Sequence, residues 1–208
     1  MTISLSEAGK RYNSDWIFRK LSYTFTPGRA YAITGTNGSG KSTLLQVIAG
    51  ATVASEGKIE YSLNGKTIAP EEVYRELALC APYLELVEEM TALEFLRFHE
   101  RFKPFYTGQS ILDILKTVGL EHAAHKQIRY FSSGMKQRVR LAQAVFSSTQ
   151  CLFLDEPCAN LDDEGIVLYH RLIRDYRHNR LVIVCSNDPQ EYGFCTEILR
   201  MGKQELSS

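Results

Sequence analysis

The opening of the chain alternates. Thr2-Ile3-Ser4-Leu5 and Leu21-Ser22-Tyr23-Thr24-Phe25-Thr26 switch between polar and apolar at every step, the period of a half-buried strand. Pro27-Gly28 ends the second of them as a turn. Ala30-Tyr31-Ala32-Ile33-Thr34 then runs as a short buried strand, and Ser42–Gly50 reads as a helix closed by its glycine. Gly57–Leu63 is a further strand, turned by Asn64-Gly65. Leu77–Ala81 is a buried strand stopped by Pro82.

From about residue 83 to residue 150 the pattern becomes helical. Thr91 and Glu94 have capping-box spacing, which predicts a helix running to Phe98 or Arg101 and ended by Pro104. Ile111, Leu112, Ile114, Leu115 and Val118 recur at helical spacing before Gly119. The acidic, apolar stretch Leu84–Glu89 fits a partner surface, a solvated loop or a helix start. Ser132-Ser133-Gly134 opens a helix whose apolar face carries Val139, Leu141, Ala142 and Val145. Beyond it, Cys151–Leu154 is an apolar strand ending in Asp155-Glu156-Pro157, and Ala159–Asp162 is a turn that caps a helix over 163–176. Leu181–Cys185 reads as the last buried parallel strand, and Ile198–Leu206 as a closing hairpin. The expected class is α/β, in one domain of 208 residues. Residues 1–82 and 151–208 form the mainly parallel core with an N-terminal antiparallel β subdomain, and about 83–150 form an inserted helical subdomain.

Composition narrows the class. Lys+Arg 24 balances Asp+Glu 24, so no basic field exists to hold nucleic acid by electrostatics alone, and none is expected as a partner. No apolar run reaches bilayer length, and Met1–Glu7 lacks the basic and long apolar regions of a secretory signal. Cys80, Cys151, Cys158, Cys185 and Cys195 are odd in number and without C-x-x-C spacing, which points to reduced thiols in a cytoplasmic protein.

The chemistry sits in two stretches. Gly35-Thr36-Asn37-Gly38-Ser39-Gly40-Lys41-Ser42 satisfies G-x-x-x-x-G-K-[ST] between a strand and a helix. Glycines there let successive N–H groups turn toward phosphate oxygens, and the helix adds its positive end. Lys41 brings a charge to the β- and γ-phosphates, and the Ser42 hydroxyl can ligate Mg²⁺. The second stretch delivers Asp155 and Glu156 at a buried strand end, where two acids are costly unless they meet a cation or a water. Asp155 suits the metal and Glu156 the attacking water. Together these make a P-loop NTPase core. Ser186-Asn187-Asp188 falls at another strand's carboxyl edge, where open α/β sheets place ligands. Tyr12 and Trp16, between the first two strands, could stack on a base or serve as packing.

This order resembles the ATP-binding subunit of ABC transporters over essentially the whole chain. Gly35–Ser42 matches the Walker A loop, and Leu152–Glu156 matches Walker B with its catalytic glutamate. Ala159–Asp162 matches the D-loop. Ser132-Ser133-Gly134-Met135-Lys136-Gln137 is similar to the family signature, and Tyr12 stands where a base-stacking aromatic is expected. The resemblance implies ATP and Mg²⁺ as cofactors. Nucleotide contacts would come from Tyr12, Gly35, Asn37, Gly38, Ser39, Gly40, Lys41, Ser42 and Thr43, with Ser42 and Asp155 at the metal and Glu156 and Asn187 in catalysis. It also implies a head-to-tail dimer, with a second copy or a homologous subunit, in which Ser132 and Gly134 close the partner's site. A separate membrane permease would hold the subunit at the inner face of the membrane.

Three departures stand out. The usual Q-loop glutamine aligns with Pro82, which has no side-chain amide, so Glu85 or Glu88 substitutes or the link to the metal weakens. The usual switch histidine aligns with Asn187, which cannot carry a proton as imidazole does. Ser133 and Met135 replace a glycine and a glutamine of the signature. The leading expectation is an ATPase powering a two-component ABC-2 type exporter, read from the short chain and the 84–99 region. A dimerisation module with vestigial hydrolysis is the alternative, and a soluble ABC ATPase acting on ribosomes or DNA ranks behind both.

Overall fold

The computed structural model describes residues 1–177 and 179–202. Its elements, in chain order, are β1 (Thr2–Tyr12), β2 (Asp15–Phe25), β3 (Ala30–Thr34), α1 (Lys41–Ile48), β4 (Glu56–Leu63), β5 (Lys66–Ile68), β6 (Leu77–Cys80), α2 (Ala92–Glu100), α3 (Ile111–Thr117), α4 (Ser133–Phe146), β7 (Cys151–Asp155), α5 (Asp163–Tyr176), β8 (Leu181–Cys185), α6 (Pro189–Tyr192) and β9 (Glu197–Arg200). Five strands make a parallel sheet in the order β6-β7-β8-β3-β9. The other four make an antiparallel sheet, β2-β1-β4-β5. The helices α2, α3 and α4 lie in the segment between β6 and β7.

Strand periodicity divides the interior in two. On one face of the parallel sheet Tyr31, Ile33, Cys151, Phe153, Leu181 and Ile183 pack with Leu44 and Leu45 of α1 and with Ile3, Leu5 and Phe25 of the antiparallel sheet. On the other face Ala78, Cys80, Leu152, Leu154, Val182 and Val184 pack with Phe95, Leu115, Val139 and Leu172 from α2 to α5. Successive residues of β7 and β8 therefore serve opposite cores, and both strands are buried along their whole length.

The sequence reading and the structure part in three places. β1 and β2 run well beyond the alternating stretches and meet at Asn13-Ser14, so Tyr12 and Trp16 lie within strands, not between them. Register shifts between Leu5 and Lys10, with Glu7 and Lys20 at positive φ (48° and 52°), break the two-residue period and hide the continuity. The expected closing hairpin is a strand instead: β9 pairs parallel with β3, Ala32 opposite Ile198, as a fifth strand beyond β8 in the sequence. Residues 203–206 of that expectation lie outside the described residues. Leu84–Glu89 is a loop and not a helix start.

The helical segment is fixed by caps. Thr91 Oγ1 accepts the Glu94 N–H at 3.2 Å and Glu94 Oε2 accepts the Thr91 N–H at 2.8 Å, and Ser110 and Asp113 repeat the arrangement at α3. A polar tether joins α2 to α4. His99 Nε2 lies 2.8 Å from Ser147 Oγ, whose own hydroxyl donates to the Gln143 carbonyl at 2.6 Å, so the imidazole N–H is the donor. Burial, then the Lys103 charge, pushes the His99 pKa from the usual 6.5 down to about 4. The unfolded chain then takes up the proton first. Stability should fall as pH drops from about 6.5 to about 4 and level off below. Thermal melts across that window should show a shallower slope for His99→Gln than for the parent.

Candidate nucleotide site

Parallel pairing brings four strand ends to one edge. β3 runs into the glycine loop, β7 into Asp155 and Glu156, β8 into Ser186-Asn187, and β6 into Ala81-Pro82-Tyr83. Gly40 is the residue ahead of α1 and sits at φ 93°, and a Cβ there would collide with the Ile17 side chain of β2. Only glycine suits both the backbone and the space. Lys41 is buried, and its ammonium donates to the carbonyls of Gly35 (2.8 Å) and Thr36 (3.3 Å). The loop is thus closed on its own lysine. Ser39 Oγ is buried beside it with no hydrogen-bond partner.

Asn37, Gly38, Gly40, Lys41, Ser42 and Thr43 line one open cleft of about 260 Å³ together with Ile17 and the exposed Glu156. Asp155 stands behind it, 2% exposed, and neither carboxylate oxygen has a hydrogen-bond partner. Burial raises its pKa. The Ser42 and Tyr83 hydroxyls sit near enough to pull that pKa down, yet neither closes a hydrogen bond on the carboxylate. A buried carboxylate left open on two oxygens, next to a serine hydroxyl and a lysine, is a fitting site for a hard divalent cation. Magnesium would be held by Ser42 and Asp155.

Glu156 has φ 43°, a conformation that costs a non-glycine residue about 1–3 kcal/mol. Its surroundings fix it. The Glu156 N–H donates to the Cys185 carbonyl at 3.0 Å, and its own carbonyl accepts the Ala159 N–H at 3.0 Å. The fully buried Gln137 of α4 donates to the Pro157 carbonyl at 2.8 Å, and Glu191 Oε1 accepts the Cys158 N–H at 2.7 Å. Burial raises the Glu191 pKa, while Ser186 and that N–H lower it.

Asn187 is engaged by the glycine loop. Its Oδ1 accepts the Gly35 N–H at 3.1 Å, and its Nδ2 donates to Asn37 Oδ1 at 3.1 Å. The Gly35 N–H can only donate, which fixes the orientation of the amide. Ser132 and Gly134 are not in the cleft of the glycine loop. They line a second one, of about 320 Å³, with Gly119, His122, Arg138 and Asn160. Ser132 Oγ accepts the Met135 N–H at 3.2 Å as the cap of α4, and a Cβ on Gly134 would come 2.9 Å from the Asn160 carbonyl. Asp162 caps α5 through the Gly165 N–H at 2.8 Å and pairs with Arg138 at 3.1 Å. Tyr12 is half exposed at the end of β1 with Lys10 Nζ 5.0 Å from its ring centre, and Ile17, not Tyr12, borders the loop's cleft.

Sequence reasoning missed Glu191, Gln137 and Tyr83. Gln137 was within the signature stretch, where a polar residue on the inward face of a helix was a usable signal. Glu191 had none, because its partners Cys158 and Ser186 are distant in sequence. Of the two acids named as substitutes at the Q-loop, Glu88 is turned away: it accepts from Lys136 Nζ of α4 at 2.6 Å.

Gly40→Ala should destabilise the fold by about 2 kcal/mol through the left-handed backbone and the Ile17 contact. Chemical denaturation measures this directly, with Gly202→Ala, open on all sides, as the neutral control.

Comparison with known proteins agrees with this geometry. The family described as ABC transporter matches residues 18–159. The uncharacterized ABC transporter ATP-binding protein YybJ of Bacillus subtilis is 30% identical over 207 residues, covering 96% of this chain and 92% of that one. The cytochrome c biogenesis ATP-binding export protein CcmA of Xylella fastidiosa is 34% identical over 168 residues, 81% of this chain and 75% of that one. The dimeric post-hydrolysis structure of the ATP-binding cassette MJ0796 with ADP and Pi superposes with a TM-score of 0.78 at 22% identity, covering 96% and 94%. The chain belongs to the ABC transporter family, as one of its ATP-binding subunits, an ATPase.

Proposed function

We propose that this subunit binds MgATP between two copies of itself, or between itself and a homologous subunit, and that closing and opening of this pair drives export through a separate permease. The observation that carries the reading is the single cleft in which the loop Asn37–Thr43 faces Glu156, with the open carboxylate of Asp155 behind it. Loop amides and Lys41 would take the β- and γ-phosphates. Lys41 is already inside the loop, so phosphate oxygens would replace the Gly35 and Thr36 carbonyls as its acceptors. Ser42 and Asp155 would hold magnesium, which supplies charge neutralisation on the phosphates. Glu156, exposed and aimed into the cleft, would accept a hydrogen bond from the attacking water and orient it.

The second cleft supports the need for another copy. Ser132 and Gly134 flank α4's first turn away from this chain's own loop, and the exposed N–H groups of that turn suit a phosphate brought from outside. Tyr12, half exposed at the end of β1, would stack on the base. Export as the direction draws on the likeness to CcmA, named as an export protein. No helix among the described residues is long and apolar enough to cross a membrane, so a membrane role here means a permease. The ABC-2 class of that permease belongs to the proposal.

A specific observation favours slow turnover. Asn187 braces the loop, its Oδ1 accepting the Gly35 N–H and its Nδ2 donating one N–H to Asn37, and the one amide N–H left over cannot shuttle a proton as an imidazole would.

Glu156→Gln should lower ATP turnover about a hundredfold or more while retaining ATP affinity, and should accumulate a dimer in light scattering with MgATP. Unchanged turnover would remove Glu156 from its role. Lys41→Ala should weaken ATP binding about tenfold or more in calorimetry, the loss of charge-assisted hydrogen bonds to phosphate.

A further inference from the structure

The hairpin tip that carries Tyr12 is fastened to the helix behind the glycine loop. The ladder between β1 and β4 ends at Gly9 opposite Glu56. Beyond that pair the last residues of β1 hang on the connection that leaves α1. The Ser55 N–H donates to the Gly9 carbonyl at 2.7 Å. Ser55 Oγ accepts the Arg11 N–H at 3.1 Å. Lys10 Nζ donates to the Val53 carbonyl at 2.9 Å. That connection is itself folded onto α1, because the Ala51 and Thr52 N–H groups both donate to the Gln46 carbonyl, at 3.0 and 3.2 Å. A short path of hydrogen bonds therefore runs from Lys10 to the helix that begins at Lys41.

Lys10 has a second contact. Its ammonium lies over the Tyr12 ring, 5.0 Å from the centre. A cation within about 6 Å of an aromatic face is attracted to it. The neighbouring cations are used differently: Arg11 and Arg19 lie 5.6 and 4.5 Å from the Trp16 ring, and Arg19 pairs with Glu56 at 2.9 Å. The restraint falls where it matters. Tyr12 is 49% exposed at a hairpin end, where a ring samples several rotamers. Ordering such a ring on binding costs free energy that a preset orientation avoids. The tip is also close to the cleft. Ile17, on β2 between the partners of Lys10 and Arg11, borders the glycine-loop cleft, and Tyr12 pairs with Asp15 just beyond it.

We propose that Lys10 is the positioning residue for the base end of this site: its ammonium, anchored on the Val53 carbonyl, holds the Tyr12 ring in the orientation that receives the nucleobase. This rests on the reading of Tyr12 as the base-stacking residue given above. Lys10 acts through the ring and makes no contact with the nucleotide. Its anchor sits on the connection that leaves α1, so the ring that takes the base and the loop that takes the phosphates are held in register by one helix.

The test uses the full chain with Mg²⁺ and two probes read by calorimetry, ADP and inorganic pyrophosphate. Only ADP carries a base, and neither carries a γ-phosphate. Lys10→Met keeps the apolar stem and removes the ammonium. It should weaken ADP binding about threefold, the range of an exposed cation–π contact, and leave pyrophosphate binding unchanged. Lys10→Arg, which keeps a donor and a cation, should restore the ADP affinity. In a chain already carrying Tyr12→Ala, Lys10→Met should have no further effect, because the cation acts through the ring. Equal ADP affinity in parent and Lys10→Met would overturn the proposal. So would equal losses for ADP and pyrophosphate, which mark a general charge or folding effect, and so would additive losses in the double variant, which place Lys10 on the nucleotide itself. Tyr12→Ala alone separates the two levels. If it binds ADP as the parent does, the base-stacking reading itself has failed; if it is weakened while Lys10→Met is normal, only the assignment of Lys10 falls.

Discussion

Everything in this molecule is arranged around a carboxylate that the fold leaves unpaired. Asp155 is buried at the end of the central parallel strand pair, and neither oxygen finds a donor. Burying such a group is unfavourable, and the chain could have relieved it with one well-placed arginine. Instead the neighbours stop short of closing a bond: the Ser42 and Tyr83 hydroxyls influence its pKa without satisfying it, and Lys41 is turned onto the carbonyls of its own loop. The sheet therefore stores a local deficit that a hard cation would fill.

A second unfavourable feature follows one residue later. Glu156 occupies a left-handed backbone conformation, and it holds because elements from three directions pin the turn. Cys185 from β8, Gln137 from α4 and Glu191 from α6 each bond the main chain within 156–158. The arrangement ties Glu156 to the helix that begins at Ser132–Gly134. A shift of α4 caused by a partner's nucleotide would be felt at Pro157 through one buried hydrogen bond of 2.8 Å. Such a bond, with no water to replace it, transmits displacement better than an exposed ion pair would.

How much of this the sequence disclosed depends on whether the information was local. Gly35–Ser42 and Asp155-Glu156 are contiguous, and each is recognised by a single loop geometry, so both were legible. Parallel strands as unbroken apolar runs were legible for the same reason. β1 and β2 were half hidden, because bulges near Glu7 shift the alternation that identifies a strand. β9 was misread because four residues of mixed polarity, alternately half-buried and exposed, look the same in a hairpin as at a parallel sheet edge. The site beyond the motifs was not legible at all. Tyr83 and Asp155 stand 72 positions apart in sequence, and only the pairing of β6 with β7 brings the ends of their strands together.

Asn187 shows how the same logic constrains the chemistry. An imidazole at this strand end would offer one donor and one acceptor at fixed angles and could exchange its proton. The amide offers two N–H donors and an acceptor side by side, and the glycine loop uses the acceptor on the Gly35 N–H and one donor on Asn37. The residue is a brace for the glycine loop. A contact between Asn187 and phosphate would draw on the second Nδ2 N–H, beside the one given to Asn37. An amide so placed braces the loop but has no proton to exchange, which is what separates it from an imidazole at the same strand end.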